Sequence, residues 1–477
     1  MMRCAFIVAI IITALAGCTL IPEYRRPDAP VPASWPTGPA YKETGSDLKD
    51  KPVGDINWRE FYTDEKLIKI IEMALQNNRD LRVAALNIEK MRAVYGISRA
   101  VVLPLPDANG SLNYYRNPAD IAESNDARNI RLYNANFGVT QWEIDFFGRI
   151  RSLSERALQQ YFATEHARNY VQTTLIAEVA NAYMVLAAER DALELARSTL
   201  KAQEESRDLI KRRYELGASS RIDLDQVTTR VEAARVDEAR FTNLVANDEN
   251  ALNFLVGAPI PPELLATNLT SIKPPKDIYP GLASDVLLKR PDILEAESQL
   301  KAANANIGAA RAAFFPRISL TTNVGTTSDE LSALFKAGSQ TWTFAPQVTV
   351  PIFSNVLNWA NLRAAKADRD IFIAHYEKAI QAAFREVADA LARRGTITDQ
   401  MKAQQTLTGA SQKIYDLSTA RYRNGIDSYL NVLDAQRSLY SAQQGLIAIQ
   451  LARLINLVNM YRVLGGGGQW EQEKNKE

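Results

Sequence analysis

The chain has 477 residues and a mass of 53.1 kDa, room for about two to four ordinary domains. Lys plus Arg number 56 against 55 Asp plus Glu, a formal charge of +1 that gives no bulk electrostatic reason to bind nucleic acid. With only two His and two Cys, a Cys-rich zinc module and a disulfide framework are excluded, and any metal site would need oxygen ligands.

The opening MMRCAFIVAIIITALAGC sets one positive charge at Arg3 ahead of an apolar stretch from Ala5 to Leu15, then small residues and a cysteine. This predicts a secretory signal over residues 1–17, too short to count as a membrane span. Leu15, Ala16, Gly17 and Cys18 resemble the lipobox of bacterial lipoproteins. That resemblance implies that Cys18 takes a diacylglycerol thioether, becomes the new N-terminus and is N-acylated, and Thr19 after it favours outer-membrane sorting. Cys4 leaves with the signal, so no disulfide forms within the mature chain. An ordinary signal that happens to end near a cysteine is the alternative.

Residues 18–61 are rich in Pro, charge and polar groups, including Pro22, Pro27, Pro30, Pro32, Pro36 and Pro39, and predict an extended tether rather than a core. A helical pattern runs from Asp64 to Val102, with Leu67, Ile70, Ile71, Ala74 and Leu75, then Leu81, Ala84, Ala85 and Ile88 at intervals of three and four. Pro104 and Pro106 end it. Residues 105–116 and 131–142 lack that period and carry Leu112, Tyr114, Tyr133, Phe137, Val139 and Trp142 among polar residues. They predict two strands around an exposed Asn-rich loop. A helix follows from about Ile150 to Tyr214, on the order of 95 Å if unbroken, and after Gly217 a second runs from Arg221 to Val256. Sixty-odd residues in one helix is far beyond the globular norm.

A proline-rich linker, residues 257–280, divides the chain, and the order of elements then repeats. RPDILEAESQLKAANANIGAARAAFFP, Arg290 to Pro316, lies over NRDLRVAALNIEKMRAVYGISRAVVLP, Asn78 to Pro104, with Asp292 on Asp80, Arg311 on Arg99 and Pro316 on Pro104. Strands are predicted at 317–326 and 341–350, a long helix from about Val356 to Tyr422, and a last helix from about Ser428 to Leu464. RYRNGIDSYLNVLDAQ matches RYELGASSRIDLDQVT with Gly425 on Gly217, so the duplication is a structural unit. The repeats span 62–256 and 281–464, and 465–477 form a polar tail. Four strands are too few to close a barrel and their edges need partners. Three chains would supply twelve strands and twelve helical tracts; on spacing alone a dimer or tetramer is nearly as defensible.

No catalytic or cofactor motif stands out. GGGG at 465–468 lacks the Lys-Ser/Thr of a phosphate loop, and His166 and His375 lie in long helices without metal-ligand spacing. No GxSxG, HExxH or paired carboxylates occur in a recognisable arrangement. The expectation is therefore no enzyme, no catalytic residue, no cofactor and no metal. The helix turns are more informative. Gly217 and Gly425 suit the left-handed conformation that ends one helix before the next, and Asp427 or Ser219-Ser220 could cap the second helix of each pair. Leu430, Asp434 and Arg437, spaced by four and three, share one helix face. In a symmetric tube they would form rings of apolar, acidic and basic groups near one height. A solvated salt bridge explains the charged pair equally well on spacing alone, since the first repeat has Ile222, Gln226 and Thr229 there.

The lipobox, the duplicated plan, and the segments NWREFYTD, NNRDLRVAALNIE, WEIDFFGRIRS, KRPDILEAE, GAARAAFFPRISL and VLDAQRSLYSAQ together resemble the outer-membrane factor family over essentially the whole mature chain. The most similar branch is the lipoproteins serving resistance-nodulation-division multidrug pumps. The resemblance implies a mixed α/β membrane protein: a trimeric 12-stranded outer-membrane β-barrel continuing into a long periplasmic α-helical barrel. It implies a homotrimer, lipid-anchored in the cell outer membrane and extending into the periplasm. Its helix ends near Gly217 and Gly425 would meet a periplasmic adaptor, the membrane fusion protein, and Leu430, Asp434 and Arg437 would narrow the periplasmic gate. Loops 117–130 and 327–340 would face outside.

The function so implied is the exit duct of a tripartite multidrug efflux system, a passive gated channel for drugs and small molecules expelled by an inner-membrane proton-driven pump. Two other readings fit the plan: an exit duct for type I protein secretion or heavy-metal export, and a non-conducting lipid-anchored periplasmic scaffold. Seven Met and two His give little material for metal export, and the Ala-rich helices are not a clean heptad repeat.

Overall fold

A computed structural model describes residues 19–42, 53–120, 127–278 and 284–467. The predicted signal peptide and Cys18 lie outside the described residues, as do parts of the tether, the first loop, the linker and the end of the tail.

The elements in chain order are α1 (Trp58–Phe61), α2 (Glu65–Asn77), α3 (Arg79–Ala100), β1 (Pro106–Asn117), β2 (Arg128–Glu143), α4 (Arg149–Glu215) and α5 (Arg221–Val256). The second half repeats them with α6 (Pro291–Ala312), β3 (Arg317–Ser328), β4 (Gln340–Thr349), α7 (Asn355–Arg423) and α8 (Tyr429–Val463). The long helices α4 and α7 have 67 and 69 residues. α4 and α8 each hold a window long and apolar enough to cross a bilayer, but most of the α4 window is buried within the protein.

Two expectations change. The pattern from Asp64 to Val102 is two helices, because Asn78 breaks it: its backbone is extended, its Oδ1 accepts the Leu81 amide at 2.9 Å and its Nδ2 donates to the Leu255 carbonyl at 2.8 Å. Asn78 therefore caps α3 while tying it to α5. The segment expected to be a tether through residue 61 folds before its end. Trp58 and Phe61 of α1 are buried, Phe61 stacks on Tyr461 with ring centroids 4.1 Å apart, and the Tyr461 hydroxyl donates to the Ile56 carbonyl at 2.6 Å. Aromatic burial outweighs the polar composition around it.

The chain divides into two compact units. The first comprises Met1–Asp28, Asn87–Glu165 and Glu295–Glu377 and contains the sheet. Its strands pair antiparallel in the order β1-β2-β3-β4. Opposed residues share a face and side chains alternate along each strand, so the register sorts them. One face carries the rows Ala108–Phe137–Val324–Trp342 and Pro106–Val139–Thr322–Phe344, followed by Leu320 with Trp142 and Ile318 with Val348. The other face carries Asn109–Asn136–Gly325–Thr341 and Asp107–Gly138–Asn323–Thr343. A bulge between Val139 and Trp142, where Gln141 takes φ 56°, keeps Trp142 on the apolar side. β1 and β4 are exposed almost throughout and form the two free edges.

The second unit, Ala29–Leu86, His166–Leu294 and Lys378–Glu477, holds the aromatic core around Phe61, Tyr62, Tyr183 and Tyr461. The proline-rich segment after α5 is packed: Ile260, Ala266, Leu269, Ile272 and Ile278 are buried, and the Lys276 amide bonds the Phe61 carbonyl at 3.0 Å. Buried Arg290 knits the unit together. It donates to the Val463 carbonyl at 2.8 Å, to Asp292 at 2.7 Å and to Glu386 at 3.0 Å.

Candidate functional site

Both long helices end in the same backbone motif, within the second unit. Gly217 has φ 74°; its amide bonds the Tyr214 carbonyl at 2.9 Å and the Ala218 amide bonds the Arg213 carbonyl at 2.7 Å. Gly425 has φ 73°, with Gly425 to Tyr422 and Ile426 to Arg421 both at 2.9 Å. These are Schellman turns, which satisfy the last helical carbonyls and need a residue without Cβ strain. The restarts differ. In the first hairpin Ser220 and Asp223 form a reciprocal capping box, and the amide of Ser220 draws the Asp223 carboxyl below its ordinary range. In the second, Asp427 is not the cap; Ser428 occupies that position without a side-chain bond. Asp427 instead accepts from Arg421 at 2.6 and 3.1 Å, bracing the turn, and the Arg421 bonds hold its carboxyl low.

The four helices meet near their turns in one apolar cluster: Ile210, Val227, Tyr429, Val432 and Leu433, flanked by Leu224, Tyr415 and Tyr422. Burying this stripe of α8 leaves Leu430, Asn431, Asp434, Arg437 and Ser438 exposed on its other side. The structure thus places the three expected gate residues together. Arg437 Nη2 lies 2.5 Å from Asp434 Oδ1, both side chains 65% exposed, and Leu430 is 58% exposed. A pair so solvated contributes about 0–1 kcal/mol to stability. Asp434 also borders a cavity of about 320 Å³ lined by Ser411, Ile414 and Ser418 of α7 and Ala435 and Ser438 of α8.

Sequence spacing does not reveal the links between helices. Tyr440 donates to Asp237 at 3.1 Å, joining α8 to α5, with Arg240 on Asp237 at 3.1 Å; burial and the Asp237 charge push the Tyr440 hydroxyl up to about 12. The α4/α5 hairpin is laced by Arg190–Glu249 at 2.6 Å, Arg235–Glu204 at 2.8 Å and Arg197–Glu238 at 3.4 Å. The middle of the α7/α8 hairpin uses neutral contacts, Gln404 and Thr408 both donating to the Ala442 carbonyl at 2.9 and 3.1 Å, and towards its far end Arg462 lies 4.0 Å from Glu386. A signal exists in Tyr440, which lies seven residues after buried Leu433, but its partner is remote in sequence. Among the described residues no group of three or more His, Cys, Asp or Glu could hold a metal ion.

A sheet whose central rows are apolar on one face and polar on the other, with two open edges, together with paired helical hairpins that end in an exposed charged face, is the architecture of a membrane channel component. The description "outer membrane efflux protein" matches residues 70–258 and 282–466. The antibiotic efflux pump outer membrane protein ArpC of Pseudomonas putida is 47% identical over 468 residues, covering 97% of this chain and 96% of ArpC. The toluene efflux pump outer membrane protein TtgC, also of Pseudomonas putida, is similar to the same extent. The open-state crystal structure of the Neisseria gonorrhoeae MtrE outer membrane channel superposes with a TM-score of 0.83 at 38% identity, covering 94% of this chain and 99% of that one. The chain belongs to the outer membrane efflux protein family. Its fold is that of the trimeric outer-membrane channels, and it is an outer-membrane exit duct of a tripartite efflux system rather than an enzyme.

Proposed function

We propose that this chain forms a homotrimer in which three four-stranded sheets close a twelve-stranded barrel, and that it conducts apolar drugs and solvents expelled by a resistance-nodulation-division pump through a periplasmic adaptor. The observation that carries the reading is the two-faced sheet: Phe137, Val324, Trp342 and Phe344 suit a bilayer, while Asn109, Asn136, Asn323 and Thr343 suit a water-filled lumen. The free edges β1 and β4 need the neighbouring copies. The relatives named for antibiotics and toluene support small apolar cargo.

Within this reading Leu430, Asp434 and Arg437 form the periplasmic gate, the turns at Gly217 and Gly425 contact the adaptor, and Cys18, freed by removal of 1–17, carries the lipid. The two repeats, 62–256 and 281–464, each supply one hairpin to the helical barrel. The duct holds no energy-coupling motif, so the pump supplies the work.

The test is accumulation of a fluorescent efflux substrate in cells lacking the gene and in cells complemented with the wild-type chain. Raised accumulation reversed by complementation is expected. Equal accumulation across several dyes, in a strain with other ducts deleted, would overturn multidrug export in favour of protein secretion or scaffolding.

A further inference from the structure

Within the first unit, the segment just after Cys18 lies extended along one face of α6. Five positions of that helix, Glu297, Lys301, Asn304, Gly308 and Arg311, recur at intervals of four, three, four and three, which keeps them in one stripe. They meet the segment in reverse order. Arg311 donates to the Leu20 carbonyl at 3.2 Å and Asn304 to the Pro22 carbonyl at 2.8 Å. Glu297 accepts from Arg26 at 2.7 and 3.2 Å and from the Tyr24 hydroxyl at 3.2 Å. Lys301 lies 3.1 Å from Glu297 and its Nζ sits 5.2 Å from the centre of the Tyr24 ring. The lengths agree: fourteen helical residues rise about 21 Å and six extended ones span about 20 Å.

Gly308 makes the close approach possible. A Cβ there would fall 2.6 Å from Ile21 Cγ1 and from Ser152 Oγ, and 2.9 Å from the Ile21 amide. A glycine inside a helix costs about 1 kcal/mol relative to alanine, and here it opens a notch for the crossing chain. The second unit repeats the device, since a Cβ on Gly395 of α7 would strike the Ala40 carbonyl. Arg311 has its counterpart in Arg99, but three of the receiving side chains do not come with the duplication. At the positions of α3 equivalent to Glu297, Lys301 and Asn304 stand Ala85, Glu89 and Arg92, and a Cβ on the equivalent Gly96 would meet nothing.

We infer that Thr19–Arg26 is an intramolecular clamp, with a dedicated docking site on α6 whose anchor is the buried carboxylate of Glu297 and whose floor is Gly308. Leu20 is thus held beside Arg311, six residues before β3 begins. If Cys18 is acylated, as the functional reading has it, the lipid is mounted directly on the body that carries the barrel strands instead of trailing on a leash of forty residues.

The clamp is tested with purified full-length trimer and trypsin, by timing cleavage of the Arg25–Arg26 bond, since Pro27 protects the bond after Arg26, and weighing the released N-terminal peptide. Wild type is expected to be cut slowly, and Glu297→Gln at least about tenfold faster. Arg26→Gln, read at the Arg25 bond alone, is expected to behave likewise and serves if Glu297→Gln does not assemble. Equal rates in wild type and both variants would overturn the clamp. So would a Cys18→Ser chain cut as fast as Glu297→Gln, because the acyl chains rather than α6 would then be holding the segment. The mass of the wild-type peptide reports acylation separately: an unmodified Cys18 in a protected segment would sink the lipid reading and leave the clamp standing.

Discussion

Gly217 and Gly425 stand in corresponding places of the two repeats and close their helices with nearly the same left-handed φ, 74° and 73°, and the same pair of backbone bonds. Nothing lies within 4 Å of a Cβ built on either, so the requirement is conformational and not one of space. Gly425→Ala is expected to cost about 1–2 kcal/mol at the turn, and Gly425→Asn less, since Asn tolerates this region better. Hydrogen exchange at 415–435 in the assembled trimer checks it. Equal protection in wild type and Gly425→Ala would mean that the turn is not held in this conformation.

The proposed gate makes a different kind of prediction. Asp434 and Arg437 pair in full view of solvent, so Asp434→Ala is expected to leave thermal stability within about 0.5 kcal/mol of wild type. Three copies of each charge in a narrow throat would nonetheless control ion passage. Single-channel recording in a planar bilayer should show higher resting conductance for Asp434→Ala and Asp434→Arg. A stable variant with wild-type resting conductance would remove Asp434 from the gate.

Legibility in the sequence tracks the range of the interactions involved. Helix spans, the turns at Gly217 and Gly425 and the shared face of Leu430, Asp434 and Arg437 depend on periodicity and local backbone chemistry, and α5 runs between the predicted Arg221 and Val256. The break at Asn78 is hidden because both flanking helices share one apolar period, and the deciding bond goes to Leu255, 177 residues away. Asp427 reads as a cap because a carboxylate beside a helix start normally serves as one; Arg421, across the turn, competes for it. The clamp reads as a leash for the same reason. Proline-rich, charged composition describes a chain that cannot build its own core, but not one that docks on a helix through Gly308 and Glu297.

The two hairpins should respond differently to ionic strength. Ion pairs lace α4 to α5, whereas along the middle of the second hairpin amide and hydroxyl groups tie α7 to α8 through the Ala442 carbonyl. At about 1 M salt the Debye length falls to roughly 3 Å, which weakens exposed pairs and leaves neutral hydrogen bonds nearly unchanged. Exchange protection at 190–250 is therefore expected to fall with salt more than protection at 395–450. A uniform response would mean that the ion pairs contribute nothing to holding the first hairpin closed.

Docking of Thr19–Arg26 should be lost only in acid. Burial raises the Glu297 carboxyl, but hydrogen bonds from Arg26 and Lys301 outweigh it and leave the group below the ordinary value. A carboxyl held lower in the docked state than when free stabilises docking above the free value, and that contribution disappears as pH falls through the docked one. Across the neutral range the clamp is therefore expected to be insensitive to pH. The N-terminal segment should come loose only below about pH 4.3, the ordinary glutamate value. A spin label on Thr19→Cys, in a chain whose Cys18 is replaced by Ser, reports this directly: low mobility at neutral pH and a rise to free motion in acid. In Glu297→Gln the label should be mobile at every pH, with no acid transition. A wild-type segment released between pH 6 and 8 would mean that a group other than Glu297 holds it.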